Sequence, residues 1–230
     1  MTDPLNIGFL LYPNLTQLDM TGPAQVMGRM PGAALHFVWK SMEPVTDDMG
    51  LAFMPTTTLA DCPQLDIVCV PGGYGCAAVM EDEAALDWLV EQDRETRFTT
   101  SVCTGSLVLA AAGLLNGRTA ACHWSWRDQL SLFGATPSAD RVVEDGKYIT
   151  GGGVMAGIDF GFRIAEKLFG RDYAESLQLG LEYDPAPLGG GTPETARPEI
   201  LEATKAAMNA RGMGDRLADV ERIAAASGRV

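Results

Sequence analysis

Phe98-Thr99-Thr100-Ser101-Val102-Cys103-Thr104-Gly105 is the stretch that decides the fold of this chain. A strand pattern over 98–102 runs into a helical pattern over 104–115 with no residues left for a loop. The residue at such a junction must turn sharply. Ser101 and Gly105, two before it and two after, are small enough to permit the turn. Cys103 therefore occupies a nucleophile elbow, with sulfur in place of a serine hydroxyl. Open α/β folds bind ligands at the carboxyl edge of the sheet, and this turn holds the sulfur there. The start of the following helix supplies free N–H groups and partial positive charge. Both favour a thiolate, so the expected thiol pKa lies below the free value of about 8.5.

Outward from the elbow, short apolar runs alternate with longer helical patterns, as in a parallel sheet covered by helices. Strands are predicted over 7–12, 36–39, 66–70 and 119–122, the first too apolar to be half-exposed. Residues 52–54 suggest a further strand at an edge, beside Pro55. Val142-Val143 and Tyr148-Ile149 suggest a hairpin around Asp145-Gly146. Helices are predicted from Thr21-Gly22-Pro23, with Pro23 near the first turn, and over 83–97. Others run from a Ser125 cap through 132, from Gly151-Gly152-Gly153 to 169, and over 173–181. Composition shifts at Asp184, where Pro185, Pro187, Gly189, Gly190, Gly191 and Pro193 form a linker-like stretch. Two amphipathic patterns follow, over 198–211 and 216–226. The expected fold is α/β, a doubly wound, mostly parallel sheet flanked by helices over 1–184. A linker and C-terminal helical extension occupy 185–230. The extension is too small to fold alone and should pack on the core or on a partner subunit.

Hydrophobic residues make up 47% of the 230, enough for a substantial core. The formal net charge of −13 disfavours a nucleic-acid surface, which needs clustered Lys and Arg. Small neutral or apolar substrates suit it better. The Met1-Thr2-Asp3-Pro4-Leu5-Asn6 start lacks the basic residues and apolar run of an export signal. No stretch reaches the roughly 18 apolar residues of a membrane span. Five cysteines in such a chain suggest reduced thiols in a cytoplasm.

Cys69 and Cys122 fall inside apolar strands, and Cys62 and Cys76 in loop-like stretches, so Cys103 alone is marked as reactive. A reacting thiol needs a proton partner. Of the two histidines, His36 lies in a predicted strand and His123 follows one, where a structural role is the simpler reading. Asp19 is the better candidate. It follows the first strand at the carboxyl edge, between Leu18 and Met20, where desolvation would raise its pKa and make it a usable general acid. An Asp at a helix start is equally a plain N-cap. Two segments, Gly73-Tyr74-Gly75-Cys76-Ala77-Ala78 and Gly151-Gly152-Gly153-Val154-Met155-Ala156, match G-x-G-x-x-A. Neither sits in a βαβ unit with an acidic residue at the next strand's end, and neither holds a P-loop lysine. They suggest backbone devices instead, with Gly73 turning an N–H toward the sulfur to stabilise negative charge. The sequence shows no metal-ligand spacing.

Together these residues resemble the ThiJ/PfpI superfamily of class I glutamine amidotransferase-like, flavodoxin-like folds. The matching pieces are Leu18-Asp19-Met20-Thr21-Gly22-Pro23, Val70-Pro71-Gly72-Gly73 and Ser101-Val102-Cys103-Thr104-Gly105. They continue with Gly113-Leu114-Leu115-Asn116-Gly117-Arg118, His123-Trp124 and Thr150-Gly151-Gly152-Gly153, and the match runs from Asn6 to Asp184. Within the superfamily the chain looks most like the isocyanide hydratases. Position 19 is Asp, where the chaperone and deglycase branch usually carries Glu. The Cys-Thr-Gly run, the Gly-Gly-Gly-Val before the long helix and Tyr183-Asp184-Pro185-Ala186-Pro187 also match that group. The peptidase branch carries His after its Cys, where this chain has Thr104. Amidotransferases need a His-x-Glu segment that His123-Trp124-Ser125 does not supply. Regulators that fuse the domain to a helix-turn-helix pair share several motifs, but the 46 residues after Asp184 lack a basic recognition helix.

The resemblance implies a hydro-lyase that turns an isocyanide into an N-substituted formamide. Cys103 would attack as thiolate and form a thioimidate, with Asp19 as general acid and base. Thr104 would orient the reacting group through its hydroxyl or N–H, with the Gly73 and Thr104 amides stabilising charge. Gly152 and Val154 would lie near the sulfur, and Trp126 and Tyr74 would line the pocket. The resemblance further implies no cofactor or metal, a cytoplasmic homodimer, and neither nucleic acid nor membrane as partner. Two alternatives use the same cysteine. One is a glyoxalase- or deglycase-like enzyme acting on methylglyoxal. The other is a non-catalytic redox sensor in which Cys103 is oxidised.

Overall fold

In β1 (Leu5–Leu10), Ile7, Phe9 and Leu10 are completely buried, on both faces of the strand. A strand covered on both sides takes parallel neighbours. Here these are β2 (Ala33–Trp39), with Ile7 opposite Leu35, and a strand at Ile67–Val70, with Ile7 opposite Ile67. Between them lie β3 (Val45–Thr46), β4 (Ala52–Phe53) and β5 (Thr57–Thr58), so Ile67–Val70 is β6. Then follow β7 (Phe98–Val102), β8 (Thr119–Ala121), β9 (Thr136–Ser138), β10 (Val142–Asp145) and β11 (Tyr148–Gly151). The main sheet has the order β10-β11-β7-β6-β1-β2-β5. Every pairing is parallel except the β10–β11 hairpin, where Gly146 turns the chain at φ 64°. The computed structural model describes residues 4–229; Met1-Thr2-Asp3, part of the start in which no export signal is expected, lies outside them.

The helices are α1 (Gln17–Met27), α2 (Cys76–Met80), α3 (Glu83–Asp93), α4 (Gly105–Ala111), α5 (Ala156–Phe169), α6 (Arg171–Gly180), α7 (Pro198–Ala210) and α8 (Met213–Ala226). A 3₁₀ helix spans Arg127–Phe133. α1 packs on α5 and α5 on α6, while α4 meets α2, α3 and the 3₁₀ helix. These are the two helical layers that cover the sheet. α8 folds back on α2 and the 3₁₀ helix, burying Met213, Val220 and Ile223. Among the described residues, no helix is long and apolar enough to cross a membrane.

Four local expectations are corrected. The strand at 52–54 does not join the main sheet: β4 pairs antiparallel with β3 in a separate ribbon, and β5 takes the edge beside β2. Pro55 offers no N–H to carry the ladder onward. Thr136-Pro137-Ser138, not predicted as a strand, pairs with β8. Ser125 caps no helix, because its hydroxyl meets His123 Nδ1 at 2.8 Å. Most consequential, α1 starts at Gln17, not at Thr21, and holds Pro23 inside it. Thr16 is tied by its N–H to the Gly72 carbonyl at 2.8 Å, and Asp19 N–H reaches back to the Thr16 carbonyl at 3.0 Å. The first turn thus closes before the proline, and Asp19 lies within the helix.

β11, β7, β6 and β1 are adjacent and parallel, so their carboxyl ends open at one edge of the sheet. The chain leaves them at Gly152, Cys103, Pro71 and Leu11. The segments that resembled one another's neighbours only by motif are brought together there.

Candidate active site

The elbow forms as the strand-to-helix junction requires. Cys103 has φ 57°, one of three non-glycine residues with positive φ among the described residues. That conformation is strained for an L-residue and is held only where surroundings impose it. The constraint is visible on both sides. Cys103 N–H donates to the Gly151 carbonyl at 2.9 Å. Gly105 lies so close to β6 that a Cβ there would stand 2.1 Å from the Val70 carbonyl oxygen and 2.7 Å from that of Pro71. Both obstacles are backbone and cannot rotate away. Gly105→Ala should therefore lower stability by about 3 kcal/mol or more, at the upper end of what overpacking costs. A thermal melt shifted by less than about 2 °C would show that the elbow tolerates the methyl group.

Thr104, the residue that starts α4, locks the neighbouring loop. Its hydroxyl accepts the Gly73 N–H at 2.9 Å and donates to the Gly73 carbonyl at 3.2 Å. Two sequence expectations change here. The Gly73 N–H does not face the sulfur, because Thr104 has taken it. The Thr104 hydroxyl proton goes to the Gly73 carbonyl, so the hydroxyl has no proton left to offer a reacting group. The Thr104 N–H remains, and it steadies negative charge on the Cys103 sulfur.

Asp19 is fully buried. It caps nothing: Thr16 is the N-cap residue of α1, and the Asp19 carboxylate leaves the helix to accept the Gly72 N–H at 2.9 Å. A Cβ on Gly72 would stand 2.7 Å from Asp19 Oδ2, 2.8 Å from Cys103 Cβ and 2.6 Å from Thr104 N. Only glycine fits between carboxyl and thiol. The other carboxyl oxygen, Oδ1, is buried with no hydrogen-bond partner. Burial pushes the Asp19 pKa up from 3.8 to about 7, the Gly72 N–H and the adjacent Cys103 thiol counter part of the rise, and the charge of Asp48 adds to it.

The thiol does not follow the expectation of a lowered pKa. Burial is the largest influence and pushes it well above the ordinary value, and the Asp19 charge pushes it further. The Thr104 N–H acts the other way but does not prevail. The short helix end is outweighed first by burial and then by the carboxylate next door. Burial thus pushes both neighbours toward their protonated forms, the thiol well above its ordinary range and the carboxyl to about 7. Cys62, Cys69, Cys76 and Cys122 are likewise raised by burial, with no such acid placed against them by hydrogen bonding.

A cleft of about 150 Å³ opens above the pair. Cys103, Thr104 and Gly73 form its floor, with Val154, Tyr74 and Trp126 on the sides. Gly152 does not line it; its N–H is given to the Arg141 carbonyl at 3.0 Å. His123 does line it, and burial lowers its pKa, so the imidazole there is neutral. His36 stands apart, 3.1 Å from Asn6 Oδ1. Sequence reasoning missed four lining residues: Thr16, Asp48, Met208 and Met213. Thr16 donates its hydroxyl to Asp48 at 2.9 Å. Asp48 sits in a loop pinned by Asp47, whose carboxylate accepts the Met49 and Leu51 N–H groups, and no local pattern marks it.

The DJ-1/PfpI family model matches residues 6–167. The chain is 51% identical over 202 residues to a Pseudomonas putida protein named isonitrile hydratase, covering 87% of this chain and 89% of that one. It is 29% identical to a Caenorhabditis elegans glutathione-independent glyoxalase, DJR-1.2, over 70% of this chain and 86% of the other. A crystal structure of a ThiJ/PfpI family protein from Pseudomonas syringae superposes with a TM-score of 0.90 at 40% identity, covering 97% of this chain and 91% of that one.

Proposed function

This chain belongs to the DJ-1/PfpI family, and from that premise we propose that it hydrates an isocyanide to an N-substituted formamide. One observation carries the reading: a buried cysteine at the floor of a cleft has a fully buried aspartate behind it, across Gly72. The 51% identity to a protein named isonitrile hydratase supports the choice of substrate.

The reaction needs a nucleophile for the terminal isocyanide carbon and a proton for the same carbon. Ionised Asp19 removes the Cys103 proton as sulfur attacks, and the C–S bond forms. The protonated Asp19 then delivers that proton to the carbon, giving a thioimidate, Cys–S–CH=N–R. Water adds to this carbon while Asp19 carries its proton to the nitrogen. The tetrahedral adduct loses its hydroxyl proton through Asp19 to sulfur, the C–S bond breaks and the formamide leaves. One water is consumed and both side chains return to their starting states. The Thr104 N–H stabilises charge on sulfur in both halves. The thioimidate course and Asp19's double role belong to this proposal.

The pH profile has a defined sign. Asp19 must be ionised to accept the thiol proton, and its pKa is raised to about 7. Below that, both groups hold protons and the pair cannot react. kcat/KM should therefore climb about tenfold per pH unit up to pH 7. It should then stay level past pH 9, because the thiol titrates well above its ordinary value. A limb near the free-thiol pKa would contradict this assignment.

The discriminating assay measures formamide from an alkyl isocyanide, with methylglyoxal in parallel. Formamide is expected, with little or no turnover of methylglyoxal. Turnover of methylglyoxal alone, or of neither, would sink the hydratase reading. The redox-sensor alternative is not supported by a thiol this buried and this strongly protonated, since oxidation follows thiolate character and exposure.

A further inference from the structure

α7 and α8 lie beyond residues 6–167, the part matched by the family model, yet Met208 and Met213 line the cleft above Cys103. We infer that this C-terminal helix pair is the specificity wall of the active site. Met208 and Met213, which share the cleft with Trp126, form the subsite for the apolar group carried on the substrate's nitrogen. The chemical identity of that substrate rests on the hydratase reading. The existence of the subsite does not.

The geometry gives the tail a fixed position. α7 ends at Ala210, and Gly212, at φ 83°, turns the chain into α8. The hinge sets Met208, in the last turn of α7, and Met213, the first residue of α8, over one cleft. α8 is anchored below the hinge. Val220 and Ile223 are buried, and Arg222 grips Glu81 through two nitrogens at 2.6 and 3.2 Å. Arg229 pairs with Asp87 at 2.7 Å. One turn past Met213, the Arg216 guanidinium stacks 3.9 Å over the Tyr74 ring, itself part of the cleft wall. Arg216 Nη1 is buried without a hydrogen-bond partner, so the ring face is the contact that holds it. α8 thus contributes one wall residue and steadies another.

Chemistry divides the cleft in the same way. Thr16, Asp48 and His123 bring polar groups to it, while the tail brings only thioethers. An isocyanide is linear at the reacting carbon and nitrogen, so its substituent projects away from the attacked carbon. An apolar substituent loses least by settling on an apolar wall. Methionine has three rotatable bonds and a polarisable sulfur, and adapts to differently shaped groups.

The test uses Met208→Ala, Met213→Ala and the conservative Met208→Leu. Met208 is only half-buried, so its truncation leaves the core intact. Methyl, n-butyl and benzyl isocyanide are compared by kcat/KM. In the alanine variants the preference for butyl and benzyl over methyl should fall roughly tenfold, mainly through KM, with methyl little changed. Met208→Leu should restore most of it. A second readout needs no turnover: the rate at which iodoacetamide and its N-benzyl derivative alkylate Cys103. The benzyl-to-parent ratio should drop in the alanine variants. If both ratios are unchanged in both, the wall inference is overturned. If wild type turns over no isocyanide while the alkylation ratio drops, the wall stands and the hydratase reading falls.

Discussion

Cys103→Ala is expected to abolish isocyanide hydration, with a loss of at least about 10³-fold in kcat, while the protein stays folded. Removing the nucleophile closes the covalent route altogether. No other thiol replaces it: Cys62, Cys69, Cys76 and Cys122 line no part of the cleft. The fold should tolerate the change. Alanine suffers the same penalty as cysteine at φ 57° and fills less of a site already well enclosed. Stability should stay within about 1–2 kcal/mol of wild type. Cys103→Gly offers a sharper check on the strain. Glycine adopts positive φ freely, so that variant should be at least as stable as Cys103→Ala, although it too lacks the nucleophile. Retention of full hydration by either variant would remove Cys103 from the mechanism.

Asp19→Asn should lose most activity and gain stability, and the gain should depend on pH. The unfolded carboxyl titrates near 4, and the folded one is raised to about 7. A raised pKa means that stability is greatest below the unfolded value and is lost as pH climbs through the folded one. By pH 8 the buried charge costs about 4 kcal/mol, from roughly 1.4 kcal/mol per unit. Asparagine carries no charge, and its side-chain oxygen still accepts the Gly72 N–H. At pH 8 the variant should melt several degrees higher than wild type, at about 2–4 °C per kcal/mol. At pH 4 the two should melt alike. Activity goes the other way, because the amide accepts no proton from the thiol. Melts carried out at both pH values, beside initial rates, check both halves. An equal gain at pH 4 and pH 8 would point to packing, not to a buried charge.

The parts of the site that were legible in the sequence share one property: they are set by local backbone rules. Phe98–Val102 is observed with the bounds its pattern implied, and the β10–β11 hairpin turns at Gly146 as Asp145-Gly146 indicated. The elbow was legible because strand, small residues and helix crowd into eight positions. What was not legible depends on contacts distant in sequence. Asp19 seemed as much an N-cap as an acid, since only the packing of Gly72 against α1 shows where its carboxylate goes. The thiol pKa is not legible because the helix end is visible locally, whereas the desolvation and the Asp19 charge that oppose it are not. Gly73 and Thr104 were each assigned to the reacting group, but they satisfy one another. Met208 and Met213 reach the site across most of the chain; in sequence Met208 lies within the first amphipathic pattern of the tail and Met213 falls between the two.

The proposed reaction passes through a covalent thioimidate on Cys103, with the thiol proton relayed by Asp19. The most direct measurement is the mass of the Cys103 peptide after wild-type enzyme and an alkyl isocyanide are mixed and quenched within the first turnovers. The expected result is a gain equal to the mass of one isocyanide, confined to Cys103 and disappearing once substrate is spent. Turnover to formamide with Cys103 unmodified at every quench time would contradict it.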